Sequence, residues 1–381
     1  MIKLAVIGAS YLQEPLIQTA KSMGCETHVF AWKAGDPGEK SADHFYPVSI
    51  VEKDEILKIC RQIGIDGICT IASDLAAVTV NYVAEQMGLA GNTMETTLVS
   101  TNKHLMRERF ASCGDPSVKS IQISSAEDLN GMELTYPVII KPVDRSGSRG
   151  IFKVTAPEQL AEAVRKAVDV SFDHKALAEE FASGYEYSVE GITWHGQHHI
   201  LAITQKYTTG APGFIETGHL EPAQLTPDME EKVRAVVIHA LNSLGIQNSA
   251  SHSELKIDRD GNIRLIEIGG RMGGDFIGSH LVRFSTGIDY IRAVVDTALG
   301  REPDLSSQEH DGAGAVRFIL GQDDLDALER LKKEHPEYLY DAEVHEGGEV
   351  VDSSSRHGYF LMHAQRAEDL IPYLPERGHD E

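Results

Sequence analysis

The chain contains little cysteine, and this scarcity excludes two common ways of stabilising a fold. Its 381 residues include four cysteines, and no two of them form a C-x-x-C pair. Such spacing indicates neither a disulfide framework nor a structural zinc site. Reduced, buried thiols are typical of a cytoplasmic protein, and this is the predicted location.

Long apolar runs are also missing. The opening residues, Met1 to Gly8, form too short an apolar run for a signal peptide and lead directly into a strand pattern. No stretch approaches the roughly 20 apolar residues that a membrane-spanning helix needs. The sequence therefore predicts that the protein has no membrane partner.

Positive charge is scarce as well. Lys and Arg number 35 against 58 Asp and Glu, which gives a net charge of −23. A strongly acidic surface attracts neither nucleic acid nor an anionic membrane, so we expect neither as a partner. An anionic small ligand would need its own local pocket of basic side chains.

Several cofactor and catalytic motifs are absent. Gly8 does not open a full Gly-x-Gly-x-x-Gly pattern, which disfavours a nicotinamide cofactor. The spacing of a P-loop does not occur either. No Ser/His/Asp order indicates a hydrolase.

The first part of the chain alternates strand-like and helix-like segments. Strands that alternate with helices imply βαβ units and a parallel sheet. The predicted strands lie at residues 2–8, 28–32 and 67–71, and the predicted helices at about 14–23, 54–64 and 74–87.

Strands outnumber helices in the middle of the chain, which predicts an α+β unit reached through a connector at residues 92–102. Strand patterns return after about residue 313 and predict a small third unit. The predicted fold class is therefore a multidomain combination of α/β and α+β units. Strands are expected at residues 138–141, 150–154, 187–193, 200–206, 315–320 and 358–363, and helices at 103–110, 157–168 and 228–244.

The segment from Ser251 to Gly274 predicts a β-hairpin. Asp260-Gly261 is a two-residue turn signal between two alternating apolar runs. If these residues form the loop, Glu254 lies directly opposite Glu267, with the two Cβ atoms roughly 5 Å apart.

Two unpaired carboxylates at this distance repel each other, and a divalent cation between them removes the repulsion. Mg²⁺ takes oxygen ligands and commonly binds one or two carboxylates together with substrate phosphates. Arg271 follows in a glycine-rich turn, where a guanidinium can approach an anion. A surface hairpin with solvated acids is the alternative for this stretch alone.

A second motif combines a strand lysine with a Ser/Gly loop. Lys141 ends an apolar strand, and residues 144–150 form a loop whose N–H groups can fold over a phosphate. Taken alone, an ordinary flexible hairpin is the stronger interpretation, because Ser/Gly turns are common. Farther on, Glu186 shares a strand face with Ser188 and Glu190, where solvated acids on an edge strand are the alternative.

Taken in order, these pieces resemble the ATP-grasp superfamily. They are Lys103, Lys141 with its Ser/Gly loop, a Glu-Glu-Phe segment, the glutamate hairpin and Arg271. The resemblance is strongest to carboxylate–amine ligases of the amino-acid ligase and carbamoyl-phosphate-synthase-like type. It covers nearly the whole chain. It implies a Rossmann-like pre-ATP-grasp domain at residues 1–95, a two-lobed ATP-grasp domain at 96–305 and a small C-terminal domain at 306–381.

The resemblance also implies roles for particular residues. Lys103 and Lys141 would contact ATP phosphates, and Glu254 and Glu267 would bind Mg²⁺ or Mn²⁺. Arg271 would steady the carboxylate substrate or its acyl phosphate. The remaining implied residues are a phosphate lid that includes Ser146, Gly147 and Ser148, an adenine hinge of Glu179, Glu180, Phe181 and Ala182, the ribose ligand Glu186, and the acceptor-site residue His219.

The implied reaction is ADP-forming ligation: ATP phosphorylates a carboxylate, and an amine then attacks the acyl phosphate. The small partners would be ATP, a carboxylate and an amine, with an amino acid among them, and a homodimer stays open. Two alternatives also stay open: a bicarbonate- or carbamoyl-phosphate-type enzyme, and a catalytically silent nucleotide-binding regulatory module. One departure concerns Gly269, where the family often has Asn two residues after the second metal glutamate, so a second Mg²⁺ is in doubt.

Overall fold

A computed structural model describes residues 1–145, 147, 149–307 and 312–378. Its described strands form three sheets with the orders β3-β2-β1-β4, β13-β12-β9-β10-β11-β14-β16-β15 and β5-β8-β6-β7. The strands are β1 Ile2–Ile7, β2 Cys25–Phe30, β3 His44–Tyr46, β4 Gly67–Cys69, β5 Ser120–Ile123, β6 Val138–Pro142, β7 Phe152–Val154, β8 Ala176–Glu180, β9 Tyr185–Trp194, β10 Gln197–Thr208, β11 Glu216–Glu221, β12 Ser249–Ile257, β13 Ile263–Gly269, β14 Ala313–Phe318, β15 Leu339–Val344 and β16 Gly358–Ala364.

The α-helices are α1 Glu14–Ser22, α2 Pro37–Ser41, α3 Lys53–Ile63, α4 Asp74–Met87, α5 Met94–Thr101, α6 Lys103–Cys113, α7 Leu160–Val170, α8 Pro227–Leu244, α9 Val282–Thr286, α10 Tyr290–Ala298 and α11 Gln322–Glu334. Within the described residues, no helix is long and apolar enough to cross a membrane.

The N-terminal sheet is parallel, as the alternation of strands and helices predicts. Its central strand β1 is buried from Leu4 to Ile7, because side chains from both of its faces enter separate apolar cores. The short strand β3 and helix α2 were not predicted. Each of these elements spans at most five residues, too few to show a clear periodicity.

The connector predicted at residues 92–102 is largely helical, since α5 occupies most of it, and its role in joining two units stays a prediction. Its β-branched residues have modest helix propensity, which weakens the sequence signal. The helix is nevertheless capped, since the Thr93 side chain accepts a hydrogen bond from the Thr96 amide. Packing of Thr97 and Val99 against the rest of the fold then stabilises it.

The eight-stranded sheet carries most of the residues described below, and its strand pairs are antiparallel. Helix α8 packs on one face through Val233, Val237 and Leu241, which join the core that contains Leu255. Strands β14 to β16 extend this same sheet. The domain boundaries at residues 95 and 305 stay predictions.

The hairpin β12–β13 pairs Glu254 with Glu267, as predicted, although the predicted turn was wrong. Asp258 and Asn262 close a three-residue loop, and Gly261 there has a φ of +77°. That loop shifts the register by one residue. An irregularity between Glu254 and Leu255 shifts it back, so the two acidic residues still face each other.

Candidate active site

A deep cleft of about 790 Å³ lies where the hairpin, strand β10, the sheet β5-β8-β6-β7 and the N-terminal unit meet. Its walls carry basic, acidic and aromatic side chains from all these elements. The predicted site residues that line it are Lys103, Lys141, Gly147, Glu179, Glu180, Phe181, Ala182, Glu186, Glu254, Glu267 and Arg271.

Each of the two hairpin glutamates, Glu254 and Glu267, forms an ion pair with a lysine. The Glu267 carboxylate lies 2.6 Å from Lys103 Nζ, and Lys103 also donates a hydrogen bond to the carbonyl of Arg145 at 2.8 Å. The Glu254 carboxylate lies 2.6 Å from Lys206 Nζ. Burial alone would raise the pKa of Glu254, but the Lys206 ammonium and His252 outweigh burial and hold it well below its usual range.

Lys206 is the centre of an acidic cluster that the sequence did not reveal. Its side chain is 1% exposed, and its ammonium lies 2.9 Å from Glu186, 2.7 Å from Glu216 and 2.6 Å from Glu254. Burial would lower the pKa of Lys206, yet the three carboxylates raise it well above the ordinary value. His252 Nε2 lies 3.3 Å from Glu254, so the three carboxylates have two basic partners.

Lys141 forms a buried ion triad with Glu179 and Arg107. The Glu179 carboxylate lies 2.6 Å from Lys141 Nζ and 2.8 Å from Arg107 Nε. Burial would raise the pKa of Glu179, but Arg107 and Lys141 lower it to about 2. The Glu179 side chain of the predicted hinge is therefore engaged in fixing Lys141 at the cleft.

The rest of the predicted hinge faces the cleft. Phe181 has the Lys153 ammonium 4.0 Å from the centre of its ring, which makes that wall both aromatic and positively charged. Of the predicted lid, Gly147 lines the cleft with a φ of +69°. Ser146 and Ser148 lie outside the described residues. All these nucleotide-binding roles stay predictions.

Arg271 forms a bidentate ion pair with Asp74, the first residue of helix α4. Its Nε and Nη2 atoms donate to the two Asp74 carboxylate oxygens at 2.8 and 2.9 Å. Burial would lower the pKa of Arg271, and Asp74 raises it instead. A Cβ atom on Gly269 would lie 2.7 Å from Asp74 Oδ1, so glycine at this position leaves room for the pair.

His219 does not line the cleft. It is fully buried, and its Nε2 lies 4.0 Å from Asp275, which does line the cleft. Asp275 also holds Arg356 at 2.8 and 2.9 Å, and the Arg356 guanidinium stacks 3.6 Å from the centre of the Phe318 ring. Within this arrangement His219 reaches the cleft only through its contact with Asp275, and its acceptor-site role stays a prediction.

Two further buried acids lie near these groups. Glu190 pairs with His252, whose pKa burial would lower but Glu190 raises to about 9. Glu221 accepts hydrogen bonds from Thr204 at 2.6 Å and Ser285 at 2.5 Å. Burial raises the pKa of Glu221 to about 8, so its carboxyl is mostly protonated at neutral pH.

Glu221 predicts a pH dependence of folding stability. A carboxyl whose pKa rises from 4.5 to about 8 on folding binds its proton more tightly when folded, so stability falls as pH rises between these values. Replacing Glu221 by Gln removes this titration. Because one pKa unit corresponds to about 1.36 kcal/mol, the variant is expected to lose less free energy of unfolding than the parent between pH 5 and 8, by a few kcal/mol. Urea unfolding at both pH values measures it.

The exposed Glu231→Gln variant, on helix α8, makes the same chemical change without burial and serves as the control. It is expected to follow the parent at both pH values. An equal loss of stability in the parent and in Glu221→Gln would show that Glu221 does not titrate in this range.

The hairpin fits a hard divalent cation. Glu254 and Glu267 are direct cross-strand partners that both line the cleft, and their donor atoms are carboxylate oxygens. Glu186, Glu216 and Glu254 also place one oxygen each within 4.8 Å of one another. The ammonium groups of Lys103 and Lys206 touch these carboxylates.

Sequence reasoning missed Asp74, Lys206, Asp275 and Arg107. Asp74 is separated from Arg271 by 197 residues, and nothing local at a helix start indicates such a partner. Lys206 had a usable signal, because a lysine inside an apolar strand needs acidic partners when it is buried.

Comparison with known proteins identifies the domain around the hairpin. Residues 134–279 match the family model of the ATP-grasp domain, so this part of the chain is an ATP-grasp domain. Its bounds include Lys141, both hairpin glutamates and Arg271.

The most informative relatives are ligases. Alanine–anticapsin ligase from Bacillus subtilis (strain 168) is 28% identical over 289 residues, 69% of this chain and 60% of that protein. Dapdiamide A synthase from Enterobacter agglomerans is 28% identical over 48% of this chain and 45% of that protein. The chain thus spans about 60% of the length of the former.

The fold of the whole chain is also found among solved structures. L-amino acid ligase from Bacillus licheniformis superposes with a TM-score of 0.82 and 24% identity, covering 98% of this chain and 96% of that chain. The architecture predicted from the sequence, α/β and α+β units around an ATP-grasp domain, is therefore confirmed.

Proposed function

We propose that this protein is an ATP-dependent, ADP-forming carboxylate–amine ligase with an amino acid among its substrates. The observation that carries the proposal is the meeting of the Glu254/Glu267 pair, Lys103, Lys141 and Arg271 in one cleft of an ATP-grasp domain. Such groups suit phosphoryl transfer, because catalysis there rests on positioning and on neutralising charge.

Each group has a role in this proposal. Lys103 and Lys141 hold the phosphates of ATP, while the hinge from Glu180 to Ala182 borders the adenine and Glu186 the ribose. Glu254 and Glu267 would hold Mg²⁺, which when bound neutralises charge that develops on the transferred phosphoryl group. The substrate carboxylate is itself the nucleophile, so the protein needs none.

The end of the cleft that carries Arg356 favours an amino acid substrate over bicarbonate. Arg356 and Asp275 line the cleft as an ion pair, and an amino acid can match such a pair with its own carboxylate and ammonium group. Tyr11, Phe276 and Tyr359 line the same end with aromatic rings, which suits an organic side chain. Bicarbonate has neither an ammonium group nor a side chain to use these groups.

An amino-acid matrix tests the proposal. Phosphate release from Mg²⁺-ATP is measured with all single amino acids and all pairs, and products are identified by mass spectrometry. We expect release that depends on particular pairs, with formation of ADP and an amide. Release that depends on bicarbonate alone, with label from ¹⁴C-bicarbonate in the product, would favour the carboxylating alternative. No release with any substrate would favour a regulatory module.

A further inference from the structure

A polar group of side chains lies at the edge of the N-terminal sheet, and the cleft does not include it. His28 on β2 and His44 on the edge strand β3 are direct partners in the parallel pair. Glu26 precedes His28 by two residues and therefore projects from the same face. These three residues form what we call the edge triad.

The donor atoms of the edge triad converge. The carboxylate of Glu26 lies 3.0 Å from His44 Nε2 and 3.4 Å from His28 Nε2. All three donor atoms lie within 4.8 Å of one another. Tetrahedral zinc has bonds of about 2.0–2.1 Å to nitrogen and oxygen, which separates its ligand atoms by about 3.4 Å. The two distances from the Glu26 oxygen are therefore close to the spacing of zinc ligands.

His28 gives independent support. It is 4% exposed, and its Nε2 has no hydrogen-bond partner within the described part of the chain. Its Nδ1 lies 3.1 Å from the Tyr46 hydroxyl, a contact of the kind that orients a metal-binding imidazole.

Nearby lysines do not satisfy the triad. Lys3, which pairs with Glu26 across β1 and β2, donates its ammonium to the carbonyl of Ile63 at 2.9 Å. Lys21 pairs with Asp43 at 2.9 Å. Within residues 1–145, 147, 149–307 and 312–378, the ion-pair partners found for Glu26 are the two histidines.

We propose that Glu26, His28 and His44 form a zinc site that fastens the edge strand β3 to β2. Two imidazole nitrogens and one carboxylate oxygen are a common ligand set for zinc, with a further position left to water. The two rings are stacked, with centroids 4.7 Å apart and planes at 12°. A shared ion therefore requires one ring to turn, and the 50% exposed side chain of His44 has the freedom to do so.

Zinc binding to the untagged full chain tests this proposal. After treatment with a chelator and dialysis, the protein is titrated calorimetrically with Zn²⁺ in the absence of nucleotide. We expect a site in the parent that His44→Ala removes and Glu26→Gln weakens by at least about tenfold. Because zinc would bind the folded chain, it should raise the melting temperature of the parent more than that of His44→Ala.

The control is His335→Ala. His335 contacts Glu337 at 2.9 Å on the surface, in a pair that belongs to no larger group of metal-ligating residues in the described chain. This variant should bind zinc like the parent. The group of Glu216, His219 and Asp275 can also attract zinc, so the decisive quantity is the difference between parent and His44→Ala.

Co²⁺ gives a second readout, because its visible absorption reports tetrahedral coordination. The bands should be present in the parent and reduced in His44→Ala. Equal zinc stoichiometry and equal cobalt spectra in these two proteins would overturn the proposal. These measurements do not use ligase activity, so their outcome is independent of the proposed function.

Discussion

Replacing Glu267 by Gln is expected to lower Mg²⁺-ATP-dependent phosphate release by about three orders of magnitude. Gln keeps the size of the side chain but lacks the negative charge that would hold a divalent cation opposite Glu254. Charge neutralisation by such a cation contributes several kcal/mol to transition-state stability, and about 1.36 kcal/mol corresponds to a tenfold change in rate. Steady-state phosphate release over a range of Mg²⁺ concentrations measures the effect.

Glu254→Gln is expected to have a comparable effect, and the exposed Glu231→Gln should behave as the parent. Circular dichroism and melting temperature establish that each variant is folded. The charge pairs also change: Glu267→Gln deprives Lys103 of an ionic partner 2.6 Å away, so nucleotide affinity should be measured separately. Turnover close to that of the parent in a folded Glu267→Gln variant would refute the metal assignment.

Replacing Arg271 by Lys is expected to reduce turnover about a hundredfold, with ATP affinity changed only a few-fold. Lysine retains the positive charge but cannot form the planar, bidentate contacts that a guanidinium makes with carboxylate or phosphate oxygens. Loss of one such positioned donor typically costs about 10²–10³ in rate. Phosphate release and calorimetric binding of a non-hydrolysable ATP analogue, measured on the same variant, separate the two effects.

The ion pair with Asp74 refines this expectation. Asp74→Asn keeps the shape but removes the negative charge that holds Nε and Nη2 of Arg271. We expect a smaller loss of turnover than in Arg271→Lys. In the double variant the losses should not add, because both changes break one interaction. Full turnover in Arg271→Lys would mean that Arg271 supplies only diffuse charge or structural support.

Gly269 provides a steric test of the same geometry. Gly269→Ala places a Cβ about 2.7 Å from Asp74 Oδ1, so the ion pair must shift. Gly321→Ala is a suitable control, since nothing lies within 4 Å of the added atom and its φ of −168° is extended. Turnover should fall in the first variant and persist in the second.

The sequence predicted long elements with strong periodicity well, and it predicted short or β-branched ones poorly. Helix α4 was placed correctly because 14 residues reveal a period of 3.6. Strand β3 has three residues, and α5 contains four threonine and valine residues in eight, so neither gives a clear local signal.

The site shows the same division. The opposition of Glu254 and Glu267 was predicted, because pairing within a hairpin is set by local register. The three-residue loop and the irregularity that offsets its register shift were not predicted. Asp74 was missed because its contact with Arg271 joins segments 197 residues apart, which only tertiary folding brings together. The burial of His219 behind Asp275 depends on tertiary packing in the same way.

The space beside Gly269 limits how this protein can be recombined with its relatives. The Asp74 carboxylate fills the volume that a side chain at position 269 would need. A chimaera that joins residues 1–95 of this chain to an ATP-grasp domain with Asn at that position would bring two polar side chains into one volume. A functional chimaera therefore has to take Asp74 and Gly269 from the same parent, although the two residues are far apart in the sequence.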